Sequence, residues 1–600
     1  MKYPTLSEQK TSRQMVDVFK GYNHNLRIND GEFFDMKNMT SDYYPVLSPR
    51  GKRGVYATPN NPQALIAKDS LCYVDGRNFV INEHTVDMGL NDEPKHLVSM
   101  GAYVIIMPDK KYINTKDLTD FGNIEAVYPG VEGQSVSASY EMCKVDGTSY
   151  EVTVKQPNAP DNPENMQLWI DTSSVPHVLK QYSATQAVWN QVATTYVKIA
   201  APNIAASFSQ YDAVKISGIP EQVTQLKDLE GQVCPLWAVY RDAGSNSEES
   251  PRAEGTLDYV VIVGILDEAV TATSNLRLER SMPKMDDFIV ESGNRLWGCR
   301  YGVSENGQVV NEIYASKLGD FKNWNCFMGL STDSYAASCG TDGQFTGAIT
   351  HLGYPLFFKE NCVHKVYGNY PANFQIQTTA CRGVQRDCDK SLSIVNETLF
   401  YKSRSGVCAY DGSLPTEMSY ALGNEVYSDA VGGSHGNKYY ISMKDVRGNY
   451  NLFIYDIAKG MWHKEDSIPV DCFCSCRGEM YAISEGKIIT MLGSGTQEND
   501  SVEWMVQTGE IGISSPDMKY ISRITVRMSM DIGSEVRFSA QYDFADGWDE
   551  ICVLNGTSLR SFSIPIRPRR CDHMKLRIEG VGNAKIYSIT KTIEQGSELS

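Results

Sequence analysis

The stretch "KYYISMKDVRGNYNLFIYDIAKGMWHKED" (Lys438–Asp466) decides the fold. Its tyrosines, isoleucines, phenylalanine and tryptophan suit a pleated, half-buried surface. The Gly, Asp and Asn residues between the apolar runs supply tight turns. The segment therefore reads as strands joined by short turns, closing on the Asp, Gly and Trp pattern of a propeller blade's outer strands.

The same unit recurs. It is present in "ALIAKDSLCYVDGRNFVIN" (Ala64–Asn82) and "HLVSMGAYVIIMPDKKYIN" (His96–Asn114), then in "RLWGCR" (Arg295–Arg300) and "YPLFFKENCVHKVYG" (Tyr354–Gly368). It returns in "ETLFYKSRSGVCAYDG" (Glu397–Gly412) and "GEMYAISEGKIITMLG" (Gly478–Gly493). Units of several strands spaced roughly 35 to 50 residues apart mark propeller blades, which bury their faces only by stacking on one another. Two units before residue 115 and five after 285 predict six or seven blades.

The rhythm lapses from about 130 to 280. "SASYEMCKVDGTSYEVTVKQP" (Ser137–Pro157) and "TYVKIAAPNIAASFSQYDAVKISGI" (Thr195–Ile219) alternate like strands of another β domain inserted between blades. The expected organisation is an extended arm over 1–47, first blades over 48–129, an inserted β domain over 130–280, remaining blades over 281–500 and a β-sandwich over 501–600. The fold class is all-β: a β-propeller of six or seven blades, interrupted by an inserted β domain and followed by a C-terminal β-sandwich. "EQVTQLKDLEG" (Glu221–Gly231) is the one reasonable helix, and "SNSEESPRAEG" (Ser245–Gly255) reads as a surface loop.

The 600 residues carry a formal net charge of -17. Such acidity opposes phosphate binding, which excludes a chain that grips nucleic acid but allows a wall past which it slides. "MKYPTLSEQK" has no apolar signal region, and "YVVIVGIL" (Tyr259–Leu266) is too short to span a bilayer. The expectation is a chain made in a cytoplasm without membrane insertion, with its 15 cysteines reduced.

Motifs for chemistry are absent: no zinc-protease helix, phosphate-binding loop, nucleophile elbow or dinucleotide turn. "DCFCSCR" (Asp471–Arg477) puts Cys472, Cys474 and Cys476 on one strand face, where three thiols in line cannot converge on a tetrahedral metal. "YASKLGDFKNW" (Tyr314–Trp324) reads as a structural propeller turn, "GVGNAK" (Gly580–Lys585) as a hairpin, and Asp286 and Asp287 as a turn cap. Catalytic residues, metal ligands and cofactors are accordingly expected to be none. A glycoside hydrolase would need two carboxylates facing across a cleft, and nothing singles out a pair.

"CRGVQRDCDKSLSIVNETLFYKSRSGVCAYDG" (Cys381–Gly412) resembles a blade of phage virion proteins, namely the tail nozzle (tail tubular protein B) and packaged-DNA stabilisation proteins of short-tailed phages. "FKGYNHNLRINDGEFFDMKNMTSDYYPVLSPRGKR" (Phe19–Arg53) is similar to their opening. The C-terminal "RPRRCDHMKLRIEG" is similar to the closing module of relatives from phages and prophages of gut Firmicutes. The resemblance touches about a third of the chain. It implies a non-enzymatic structural component of a tailed-phage virion, made in the bacterial cytoplasm and placed in the tail or head-to-tail region. It also implies a ring of usually six copies around the DNA exit channel. The implied partners are an adaptor or tail tube above and a fibre, spike or tip below, with DNA passing unbound. A receptor- or glycan-binding propeller is the alternative reading, and a glycan-cleaving propeller enzyme a further one.

"SIPIRPRRCDHMKLRIEG" (Ser563–Gly580) reads as a closing strand, with Met574, Leu576 and Ile578 on the core face and His573, Lys575, Arg577 and Glu579 on the wet face. Pro565 and Pro568 assign its lead-in to an edge or bend. Arg567, Arg569 and Arg570 are the candidate subunit contact, suited to carboxylates of a neighbouring copy. The expectation is that Arg569→Ala with Arg570→Ala weakens assembly.

Overall fold

A computed structural model describes residues 11–152, 154–241, 257–285, 288–304, 306–497, 501–543 and 545–595. Asp286, Asp287 and the segment 245–255 singled out above lie outside them. The described residues form an all-β propeller protein with seven blade sheets, an inserted β domain and a C-terminal β-sandwich.

The inner strands of blades 1 to 7 are, in order, Pro62–Ala67, His96–Met100, Val290–Ser292, Phe345–His351, Ser393–Val395, Tyr427–His435 and Cys472–Cys476. Each leads an antiparallel four-strand run outward. Two-residue turns with both φ angles positive join many strands, as at Asn82–Glu83 and Asn396–Glu397. Their mirror-image twist matches that of the strands they connect, and Asn tolerates the left-handed region. The seventh blade is completed from the far end of the sequence. Gly54–Ala57 pairs with Lys487–Thr490 on one side and Thr496–Gln497 on the other.

The chain divides into two compact units, residues 1–99, 343–365 and 377–600 in one and 100–342 with 366–376 in the other. In the first, one apolar core runs through blade residues such as Phe358, Phe400 and Phe453, arm residues Tyr22 and Phe33, and sandwich residues Trp504, Phe538 and Ile578. Fully burying each such side chain contributes roughly 1.5–3 kcal/mol.

The arm enters the sheets of the first unit. Thr11–Val16 pairs with Ala584–Gln595, and Glu32–Lys37 with Glu503–Thr508, both in the sandwich. Gly21–Tyr22 lies between Glu32–Lys37 and the outer strand of blade 6, Met461–Lys464. One sheet therefore runs without a break from the sandwich through the arm into blade 6. Gly21 fits the junction because its φ is +84° and a Cβ there would stand 2.3 Å from the Trp462 carbonyl oxygen.

The segment that follows the arm is fixed by charge. The Arg53 guanidinium binds Glu465 and, at 2.6 Å, Asp466, while Arg50 reaches Asp466 at 3.3 Å and Glu465 at 3.6 Å. Arg53 and Glu465 are buried, so the quartet works only because each charge has an opposite within reach.

In the second unit, Ala126–Arg280 spans three sheets around a core that includes Tyr140, Ile199, Val214, Ile262 and Leu278. The expected helix is a short 3-10 turn over Thr224–Leu229. In the propeller turn, Asn323 donates to Asp212 at 2.9 Å and to Asp320 at 2.6 Å, and Trp324 is buried. That turn is structural.

The closing strand, Met574–Val581, buries Met574, Leu576 and Ile578 and leaves Lys575, Arg577 and Glu579 half-buried. His573 differs from the expectation. It is buried, with Nδ1 3.0 Å from Asp572 and Nε2 3.8 Å from Glu510, because Asp543 draws its backbone N–H inward.

Candidate functional site

In an antiparallel meander, the turn between a blade's second and third strands and the loop leaving its fourth strand lie at one end. In blade 5 these are residues 403–406, following Thr398–Lys402, and residues 418–426, leading to Tyr427–His435 of blade 6. Between them opens a cleft of about 290 Å³ lined by Lys402, Arg404, Glu417, Ser419, Tyr420 and Glu425, among others.

Lys402 closes a strand whose other central residues are apolar, so its side chain goes where the core goes, and it is 3% exposed. Its ammonium donates to Gln385 Oε1 at 2.8 Å and to the Ser403 carbonyl at 2.6 Å. An ammonium has three donors, which leaves one without a partner among the described residues. Burial lowers its pKa below the ordinary lysine value, outweighing the upward pull of Cys388, Cys408 and Glu417.

Opposite sits Glu417, which accepts from Arg382 at 2.6 Å and from the Ser419 hydroxyl at 3.2 Å. Gly406 lets the turn close on Ser419, since a Cβ there would lie 1.9 Å from Ser419 Oγ. Arg404 is exposed at the mouth with no carboxylate within 4 Å among the described residues. Glu425 is also exposed, and its charge, after burial, helps push the Tyr427 hydroxyl upward.

Tyr420 stands 79% exposed on a 3-10 turn, Tyr420–Leu422. The arm holds that turn: Asn25 donates to the Tyr420 carbonyl at 2.9 Å, and His24 N–H to the Ala421 carbonyl at 2.8 Å. An exposed ring on an anchored backbone beside several polar groups can bind a ligand with an apolar face and a polar edge.

A second group lies at the same end of the blades. Half-buried Asp389, just before the inner strand of blade 5, has its carboxyl raised above the usual range by desolvation, against the lowering effect of Lys390 and His96. Lys390 Nζ donates to the Asp471 carbonyl at 3.2 Å, at the entry to blade 7's inner strand.

The inserted domain has its own cleft, where His177 Nδ1 meets Asp267 at 2.8 Å. No group of His, Cys, Asp and Glu among the described residues could hold a metal ion. Cys472 and Cys474 are half-buried, Cys476 is buried, and burial raises all three thiols.

The three arginines of the closing segment stand elsewhere. Arg567, Arg569 and Arg570 are all exposed, and Arg569 meets Asp549 of its own chain at 3.1 Å while covering the Tyr542 ring. None reaches the blade 5 cleft. Sequence reasoning missed Lys402. The signal was a lysine ending the apolar run "LFYK", where a charge has no reason to be buried unless something uses it.

No protein-family model matches the chain, and no curated protein matches it. Solved structures do. An exo-β-1,3-galactanase from Phanerochaete chrysosporium with galactose is 8% identical over 51% of this chain and 95% of its own, at a TM-score of 0.20. A GH43 glycoside hydrolase displaying both endo-xylanase and exo-arabinofuranosidase activity is 8% identical over 52% and 96%, at 0.19. Trypanosoma rangeli sialidase in complex with sialic acid is 8% identical over 91% and 95%, at 0.22. At such scores no residue and no substrate carries over to this chain.

These matched structures are glycan-cleaving enzymes and not phage tail proteins, which corrects the expected kinship with tail nozzle and packaged-DNA stabilisation proteins. The non-enzymatic virion ring around a DNA exit channel falls with it. The physical reason lies in what carried the resemblance. "LFYKS" and "GVCAYDG" are a blade's core strand and turn, dictated by packing in any propeller whatever its task.

Proposed function

We propose that the chain is a glycan-recognising propeller protein whose saccharide seats in the blade 5 cleft. The observation that carries this reading is the exposed Tyr420 ring, on a backbone pinned by Asn25 and His24, beside Lys402, Arg404, Ser419 and Glu425. A sugar offers apolar C–H faces and a rim of hydroxyls, and this cleft offers a ring and a mixture of donors and acceptors. The test is binding to an array of oligosaccharides, with Tyr420→Ala beside the parent protein. Because the ring is in solvent, the variant should keep its thermal midpoint and lose binding by about tenfold, a loss of about 1.4 kcal/mol. Retention of every glycan signal by Tyr420→Ala, or no signal for the parent, would sink the reading.

A second reading, cleavage, is favoured by Asp389. A carboxyl whose pKa is raised by desolvation is better suited than an exposed one to supply a proton to a leaving oxygen. Incubation with oligosaccharides bound on the array, followed by mass spectrometry, tests it. Asp389→Asn should slow any cleavage by about a hundredfold or more while binding persists. Uncleaved oligosaccharides with the parent protein would leave recognition alone.

A further inference from the structure

We infer that the blade 5 cleft takes an anionic group, a carboxylate or sulfate, carried by its saccharide. The inference rests on the glycan reading above. A neutral sugar needs hydrogen bonds, but it does not need a buried cation, and Lys402 is one. Its side chain is 3% exposed, it lines the cleft, and no carboxylate stands within 4 Å of its ammonium among the described residues.

Burying a charge without a counter-ion is costly, and proteins normally supply a partner, as this one does for Arg53. Lys402 has only neutral acceptors, Gln385 Oε1 and the Ser403 carbonyl. Glu417, the carboxylate that acts on it, is already engaged by Arg382. Arg404 adds a second cation at the mouth without a carboxylate within 4 Å among the described residues. The lining holds two cations and two carboxylates, but Glu417 is paired with Arg382 from outside it, which leaves Lys402 and Arg404 against Glu425. An anion entering the cleft gives the third ammonium donor its acceptor and brings charge-assisted bonds from both cations.

The experiment titrates the intact chain with three oligosaccharides of equal length: a hexuronic-acid oligomer, its carboxyl-reduced neutral counterpart and a sulfated neutral oligomer. Inorganic sulfate is titrated alongside. The uronate or the sulfated oligomer should bind at least about tenfold tighter than the neutral one, and whichever does identifies the anion. Arg404→Ala, a surface change, should remove most of that preference, and Lys402→Met the rest. Equal affinity for the neutral oligomer would overturn the inference and leave the glycan reading standing. Binding of inorganic sulfate that responds to both variants, with no oligosaccharide bound, would overturn the glycan reading and keep the anion site. No binding by any probe would overturn both.

Discussion

Single residues show where this protein spends its polar groups. The Arg50, Arg53, Glu465 and Asp466 quartet is balanced, so removing one member strands a buried charge. Glu465→Gln should cost about 3–5 kcal/mol and lower the thermal midpoint, and adding Arg53→Met should restore part of the loss. At Gly433, in the inner strand of blade 6, a Cβ would stand 2.4 Å from that of Phe473. Gly433→Val should therefore destabilise by about 1–3 kcal/mol or more, read from denaturant unfolding. Legibility at this scale was uneven. The alternation of Met574, Leu576 and Ile578 was visible because a strand's period is fixed. Lys402 was not, because its meaning depends on Gln385 and Glu417, brought to it by turns whose geometry no local pattern records.

Among elements, blades were the most legible. Their strands meet neighbours a few residues away, through turns whose residues name the turn type. The arm was the least legible. Gly21–Tyr22, and Gly54–Ala57 just after the arm, are two and four residues long, and each has a partner more than 400 positions away. Val55 is paired on both sides, with Ile489 and Thr496, so a proline there would delete a ladder bond inside a sheet. Val55→Pro should open blade 7, measured as accelerated amide exchange over 479–490.

In the inserted domain, Asp171 accepts from Lys180 at 2.8 Å and from the Ser173 hydroxyl at 2.6 Å, and its pKa is lowered to about 2. A depressed carboxyl stabilises the fold fully above its ordinary value, about 3.9, and that contribution fades as pH falls toward the folded value. Asp171→Asn should flatten the loss of this domain's stability between about pH 4 and pH 2, followed by near-ultraviolet circular dichroism.

For the whole molecule, fold and function parted company. The recurrence of strand units led to the propeller because stacking blades is what such units require. The same units led to a virion ring only through likeness, and likeness in packing residues carries no function. The net charge of -17 was read as the lining of a conduit, and it suits a protein of any task that must stay apart from its copies. Against that acidic background, Lys402, buried on neutral acceptors alone, is the more specific observation.

The unbroken sheet from sandwich to blade 6 carries a consequence for the order of manufacture. A ribosome releases residues 11–57 more than 400 positions before the strands at 487–508 and 584–595 that receive them. Those early segments make a few local pairs, but the edges that face the distant strands leave the exit tunnel unmatched and must wait, while blades built from neighbouring strands condense at once. Pairing across such separations is slow because loop-closure entropy is lost before the contact forms. Maturation should therefore finish at the beginning of the chain. In a pulse-labelling exchange experiment during refolding, amides at 33–37 and 54–57 should gain protection after those of blade 5. The last stitch is made with the first thread.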